Sequence, residues 1–269
     1  MKNPPRRFDS SSITTVGMVH LRALPGTPRN SQTPEMITAT AVREARMLVQ
    51  AGFDAVLVEN MHDLPYLLRT VGPEIIAAMT LATKAVVDAV DVPVGVQILA
   101  GANREAISVA HASGAQFIRA EGFAYASVAD EGIFAEADAG PLLRFRRMIG
   151  AEHIAIWADV RKKHSAHAVT ADLSITDLVS GTHFAGADAV IITGPHTGSP
   201  ASEIDIDAAR AASPLPVMVG SGATPESLPS LLHRASGVIV GSALKVDGHW
   251  ENDLDPARIS RFIEARRGC

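Results

Sequence analysis

The chain is almost without cysteine: Cys269, at the last position, is its single thiol. One thiol cannot close an internal disulfide, so the fold carries no covalent staple. Net positive charge is missing too. The formal charge is −5 and the isoelectric point is near 6.0, which argues against non-specific binding to nucleic acid. No run approaches the roughly 18 apolar residues of a membrane span, and the opening MKNPPRRF lacks the apolar segment of a signal peptide. These absences lead us to expect a cytoplasmic protein with no nucleic-acid partner and no membrane insertion. Several catalytic signatures are also missing: there is no HExxH, no paired CxxC, no DxDxDG, no GxSxG elbow and no GxGxxG after the first strand.

What the chain does hold is repetition. A Gly-led entry into an apolar run recurs as GFDAVLVEN after Ala51, GAQFIRAEG after Ser113, GADAVIITG after Ala185 and, shortened, GVIVGS after Ser236. A second set of runs alternates with the first: Ile13-TTVGMVHL, Pro93-VGVQIL, His153-IAIWADV and Pro216-VMVGSG. Their continuous Val/Ile character suits strands buried on both faces of a parallel sheet. Helices fill the gaps. The clearest follows Thr33 as N-cap, with Pro34 next, a stripe of Ile37, Ala41, Ala45 and Leu48, and Gly52 as terminator. Others are expected over Pro73–Val90, Arg104–Ser113, Asp138–Ile149, Asp172–Phe184, Asp205–Ala211, Pro225–Arg234 and Pro256–Arg267. Eight strands alternating with helices predict an α/β fold, a (β/α)8 TIM barrel. An open doubly wound sheet is disfavoured by the missing dinucleotide fingerprint. The 269 residues suit one such domain over 1–269, with a short flexible segment over about 1–12. Gly122 to Ala137 and Arg161 to Ala171 read as long loops on the face that usually carries the site.

Two runs near the end, Val217 to Val219 and Val238 to Val240, each stop at glycine and serine. Gly220, Ser221 and Gly222, and then Gly241 and Ser242, would let backbone N–H groups approach an anion. Either pair alone needs no more than a tight strand-to-helix turn to explain it. Two in succession, at the last two strands of a barrel, match the usual place of a phosphate and make the barrel one of the phosphate-binding type.

Function in such a barrel is read at the C-terminal strand ends. In order these offer His20, Glu59 with Asn60, Gln97, Arg119 with Glu121, Asp159 with Lys163 and His164, then Thr193 with His196. His20, Glu59, Glu121 and Asp159 are the candidate acid–base groups, and Arg119 and Lys163 the candidate stabilisers of negative charge. Asn60, Gln97, His164, Thr193 and His196 are candidate substrate contacts. Each has a plainer reading. Arg119 with a carboxylate can be an internal strut, His20 can cap a strand end, and Lys163 can be a solvated lysine in a basic run. His62 and Asp63 can simply fix a turn. No compact motif predicts a bound cofactor or metal, although Glu59, Glu121 and Asp159 leave Mg2+ open.

The segments GMVHLRALPG from Gly17, DAVLVENMHDLPY from Asp54, ADVRKKHS from Ala158, GADAVIITGPHTGSP from Gly186, and VGSGATPES from Val219 through GSALK resemble the BtpA/SgcQ family of barrels. The family is named for a photosystem I biogenesis factor and a sugar-operon protein. The resemblance implies a phosphate-binding barrel and the same role for Ser221, Gly222, Gly241 and Ser242. It supplies no reaction. Gln97, Glu121 and Asp130-Glu131-Gly132 stand where the family pattern has amide-bearing turns, which points to a subgroup with another ligand.

Two readings follow. One is an enzyme acting on a phosphorylated sugar or similar metabolite by isomerisation, aldol-type cleavage or glycosidic-bond cleavage. The other is a non-catalytic assembly factor of the photosystem I biogenesis type. So many polar groups at one end favour the enzyme. Met36, Leu67, Leu68, Phe145 and Phe262 are apolar positions on expected helices that could support a homo-oligomer.

Overall fold

The computed structural model describes residues 8–269. Eight parallel strands close into a barrel: β1 (Thr15–His20), β2 (Ala55–Glu59), β3 (Val94–Gln97), β4 (Phe117–Ala120), β7 (Ala155–Asp159), β9 (Ala189–Ile192), β10 (Val217–Val219) and β11 (Gly237–Val240), with β11 pairing back onto β1. Three short strands outside the barrel, β5 (Ser127–Ala129), β6 (Gly132–Phe134) and β8 (Ser165–Ala166), complete the numbering.

The helices are α1 (Pro34–Ala51), α2 (Pro73–Ala89), α3 (Asn103–Ser113), α4 (Ala139–Met148), α5 (Ile175–Phe184), α6 (Glu203–Ala212), α7 (Leu228–Arg234) and α8 (Pro256–Arg267). In α1 the Thr33 hydroxyl accepts from the Met36 N–H, Ile37, Ala41, Ala45 and Leu48 are buried, and Gly52 ends the helix at φ 116°. Three starts shift by two or more residues: α6 begins at Glu203 rather than at Asp205, behind the Ser202 cap, and two others move for local reasons. α5 begins at Ile175 rather than at Asp172 because Ser174 and Asp177 form a reciprocal capping box. α7 begins at Leu228 rather than at Pro225 because Thr224 and Ser227 bond each other in a preceding turn.

Inside the barrel the period-2 alternation of each strand sorts residues by height. The inward positions Val16, Met18, Ala55, Leu57, Phe117, Ala155, Trp157, Ala189, Ile191, Met218 and Ile239 form one apolar cluster. The next inward positions upward are polar: His20, Glu59, Gln97, Arg119 and Asp159. Gly95 makes room for Phe117 in the floor, since a Cβ there would stand 2.2 Å from the Phe117 ring. A second, larger cluster fills the space between strands and helices.

The lower end is plugged by the start of the described chain. Phe8 stacks on Phe117 at 5.6 Å between ring centroids, Phe117 stacks on Trp157 at 4.1 Å, and Trp157 Nε1 donates to Ser10 Oγ at 2.7 Å. Within the segment expected to be loose over about 1–12, Phe8 and Ser10 pack against the floor of the barrel. Residues 1–7 lie outside the described residues.

The two long loops also differ from expectation. Within Gly122 to Ala137, β5 and β6 make an antiparallel hairpin, and β8 from the Arg161 to Ala171 loop adds to β5. Together they form a three-stranded sheet beside the mouth. Of the apolar positions considered for an oligomer contact, Met36 and Leu67 are exposed while Phe262 is buried against Phe53. No helix among the described residues is long and apolar enough to cross a membrane.

Candidate active site

The polar ring opens into a cavity of about 700 Å³ at the C-terminal end of the barrel. His20, Glu59, Gln97, Arg119, Glu121, Lys163 and His164 line it, and so do Gly220, Ser221, Gly222, Gly241 and Ser242. The two glycine-serine bends and the ionisable ring thus share one chamber.

Arg119 sits at its centre. Its Nε and Nη2 donate to the two Asp159 carboxylate oxygens at 3.0 and 2.9 Å, a bidentate pair with both side chains buried. Burial opposes the Arg119 charge, but the carboxylates of Asp159, Glu59 and Glu121 outweigh it and hold the guanidinium above its ordinary pKa. Asp159 does not line the cavity; both its oxygens serve Arg119 from behind, so its role is to position that cation. The strut reading of Arg119 describes one edge of the side chain, and the residue also lines the chamber.

The carboxyl groups differ in their surroundings. Burial pushes Glu121 up to about 7, against the pull of Lys162 and Arg119, and its Oε2 has no hydrogen-bond partner among the described residues. Burial also raises Glu59, against Arg119 and Lys163. Glu59 Oε2 stands 3.5 Å from His20 Nε2, and burial together with the nearby positive Lys245 holds His20 well below the usual imidazole range, so the ring is neutral. Burial, and then Arg119, lower Lys163 to about 8.

The bends contribute backbone. Among the described residues, the N–H groups of Gly222, Ala223, Ser242 and Ala243 donate to no protein acceptor. The hydroxyl of Ser221 is already committed, accepting from the Gly194 N–H at 2.7 Å and donating to the Ser199 carbonyl at 2.8 Å. The side chain of Ser221 thus fixes the shape of the loop. Gly222 stands at φ 70°, and a Cβ there would lie 2.3 Å from Pro200 Cα. Gly222→Ala is expected to cost about 2 kcal/mol or more, read as a lower urea midpoint. Gly241 lies against His20, whose Nε2 would be 3.2 Å from a Cβ at that position. A Cβ at Gly220 would lie 3.3 Å from Arg119 Nη2. The two bends and the ring of ionisable groups are therefore in contact range of one another.

Three expected substrate contacts are placed elsewhere. Asn60 is buried and fixes the β2 turn: its Oδ1 accepts from Leu99 N–H at 2.8 Å and its Nδ2 donates to Asp63. Asp63 accepts from Leu24 N–H, the turn role expected of it. Thr193 Oγ1 donates to the Arg161 carbonyl. His196 is exposed and packs its ring 5.4 Å from that of His164 outside the cavity. Each occupies a strand end, but the loop turns its side chain away from the mouth.

Other cavity residues escaped the sequence reading. Lys162 pairs with Glu131 at 3.0 Å and with Glu121 at 3.9 Å, tying the hairpin to the ring. Tyr66, Trp250, Arg258 and Arg261 also line the chamber. The adjacent lysines and the Asp130-Glu131-Gly132 turn carried a signal for the first of these. Nothing in the sequence marked Trp250. Among the described residues, no group of three or more His, Cys, Asp or Glu side chains is arranged to hold a metal ion.

The model of the BtpA family matches residues 12–268. The chain belongs to the BtpA family. A photosystem I biogenesis protein BtpA from Synechocystis is 37% identical over 93% of this chain and 86% of its own length. An uncharacterised mitochondrial protein of Caenorhabditis elegans is 45% identical over 96% of this chain and 94% of its own length. Among solved structures, phosphoribosyl anthranilate isomerase from Thermus thermophilus superposes with a TM-score of 0.57 at 14% identity, over 95% of this chain and 99% of its own. That likeness establishes the TIM-barrel fold for this BtpA-family chain.

Proposed function

We propose that this BtpA-family barrel is an enzyme that binds a phosphorylated sugar, or a related phosphorylated small metabolite, and acts on it by acid–base chemistry. The observation that carries this reading is a single cavity with unpaired backbone N–H groups on one wall and, on another, a buried carboxyl with a pKa near 7. A phosphate at Gly222, Ala223, Ser242 and Ala243 would fix the substrate, and Glu121 would give or take a proton near neutral pH. Arg119 and Lys163 would face negative charge developing on a carbonyl or enediol oxygen. Isomerisation, aldol-type cleavage and glycosidic cleavage all draw on this set. The shared fold with an isomerase of a phosphoribosyl compound supports the substrate class by analogy.

The test is turnover of a panel of phosphosugars and nucleotides, each against its unphosphorylated counterpart, with and without Mg2+. The expected result is turnover confined to phosphorylated compounds and lowered at least about 100-fold in His20→Ala and Glu121→Gln. Unchanged rates in both variants would reject the assigned roles.

A further inference from the structure

We propose that Lys163 forms a covalent iminium with the carbonyl carbon of a phosphorylated aldose, ketose or keto acid, so that the cavity works by Schiff-base chemistry. The proposal rests on the phosphosugar reading above and narrows it to carbonyl substrates.

Four lysines fall within the described residues, and three of them are ion-paired: Lys84 with Asp88, Lys162 with Glu131, and Lys245 with Glu44. Lys163 is the exception, with no ion pair and no side-chain hydrogen bond among the described residues. Lys162 and Lys163 both line the cavity together with the two bends and Arg119, and of the two only Lys163 is without a carboxylate partner among the described residues. Its immediate neighbour Lys162 pairs with Glu131 and Glu121, Asp159 is bound to Arg119, and Glu59 acts on Lys163 through space without an ion pair. An amine meant only to supply charge gains by pairing. One left unpaired beside a guanidinium, in a partly desolvated chamber, is disposed to lose its proton and act as a nucleophile. The lowering of Lys163 to about 8 agrees with that geometry.

The step balances without an outside oxidant or reductant. The neutral Nζ forms a C–N bond to the carbonyl carbon as the C=O π pair moves to oxygen. One Nζ proton passes to that oxygen, giving a carbinolamine. Glu121, as a carboxylic acid, protonates the hydroxyl; the C–O bond breaks and water leaves, producing an iminium and a Glu121 carboxylate. The iminium then accepts an electron pair from an adjacent C–H bond, whose proton goes to Glu121, or from an adjacent C–C bond. Water returns by the reverse route to free the amine. Glycosidic cleavage has no use for such an intermediate.

Two phosphorylated aldehydes serve as probes: glyceraldehyde 3-phosphate and pyridoxal 5′-phosphate. The full-length protein is incubated with each near neutral pH, reduced with borohydride and mapped by peptide mass. Lys163 should be labelled on the order of 10–100 times faster than Lys84, Lys162 or Lys245, the advantage a pKa of about 8 gives over an ordinary lysine after allowing for its weaker intrinsic nucleophilicity. Inorganic phosphate should compete, and Lys163→Arg should lose the adduct. Mapping on the unaltered protein decides the matter even if that variant does not fold. Label spread evenly over the lysines, or absent from Lys163, overturns the proposal. Turnover of the panel without an adduct at Lys163 overturns only the covalent step and leaves the acid–base reading intact. Equal labelling by pyridoxal and its phosphate keeps the nucleophile and overturns the phosphate handle.

Discussion

Asp159→Asn will lower the urea midpoint by an amount equivalent to about 3–5 kcal/mol, the usual consequence of removing one partner from a buried ion pair. The guanidinium of Arg119 is 6% exposed, and its two bonds to Asp159 are matched by no other carboxylate within pairing distance among the described residues. An Asn amide can accept from one of its nitrogens but turns an NH2 toward the other. The guanidinium then loses the only carboxylate within pairing distance among the described residues. Activity should fall with stability, because the same two bonds aim Arg119 at the chamber. A midpoint shift equivalent to less than about 1 kcal/mol would mean that the pair is solvated and that Arg119 is not held as described.

Glu121→Gln will separate activity from stability. Loss of a positioned proton carrier should reduce kcat/KM by about 10²–10⁴. If the proposed activity holds, the unaltered protein should show a bell-shaped pH profile bounded near 7 by Glu121 and near 8 by Lys163; the variant should lose the limb near 7 and keep the other. Stability moves the opposite way. The folded pKa of Glu121, about 7, lies above its ordinary 4.5, so the folded state holds the proton more tightly than the unfolded one. Stability from this group is complete below about 4.5 and is lost as pH rises through 7. Above pH 7 the Gln variant should therefore be more stable, by on the order of 2–3 kcal/mol. A variant that is both inactive and less stable at pH 8 would show that Glu121 is structural.

The architecture was legible because buried parallel strands write themselves as Val/Ile runs. The eight runs opened by Ile13, Gly52, Pro93, Gly114, His153, Gly186, Pro216 and Gly237 each contain a barrel strand. The height rule was legible as well: along Phe117-Ile-Arg-Ala-Glu the inward side chains go from ring to cation to carboxylate. What could not be read was the direction a loop takes once its strand ends. Asn60 and Thr193 follow strands just as Glu121 does, yet they bond backbone behind the mouth. The small sheet joins Ser127–Ala129 to Ser165–Ala166 across the chain, a pairing that no local pattern encodes. The role of Ser221 was hidden for the same reason, since its acceptor belongs to Ser199. Phe8 was lost among the polar and proline residues before it, although a lone aromatic ahead of the first strand suits a floor plug.

The proposed activity needs phosphate bound at the two bends while the ionisable groups beside them move protons. A crystal structure of the protein soaked with a phosphorylated sugar that it binds tests this directly. The account predicts the phosphoryl group within hydrogen-bond reach of the N–H groups of Gly222, Ala223, Ser242 and Ala243, with the sugar carbons directed toward Glu121, Arg119 and Lys163. A phosphoryl group bound at the Lys162 and Arg161 loop instead, or a sugar bound outside the barrel mouth, would contradict it.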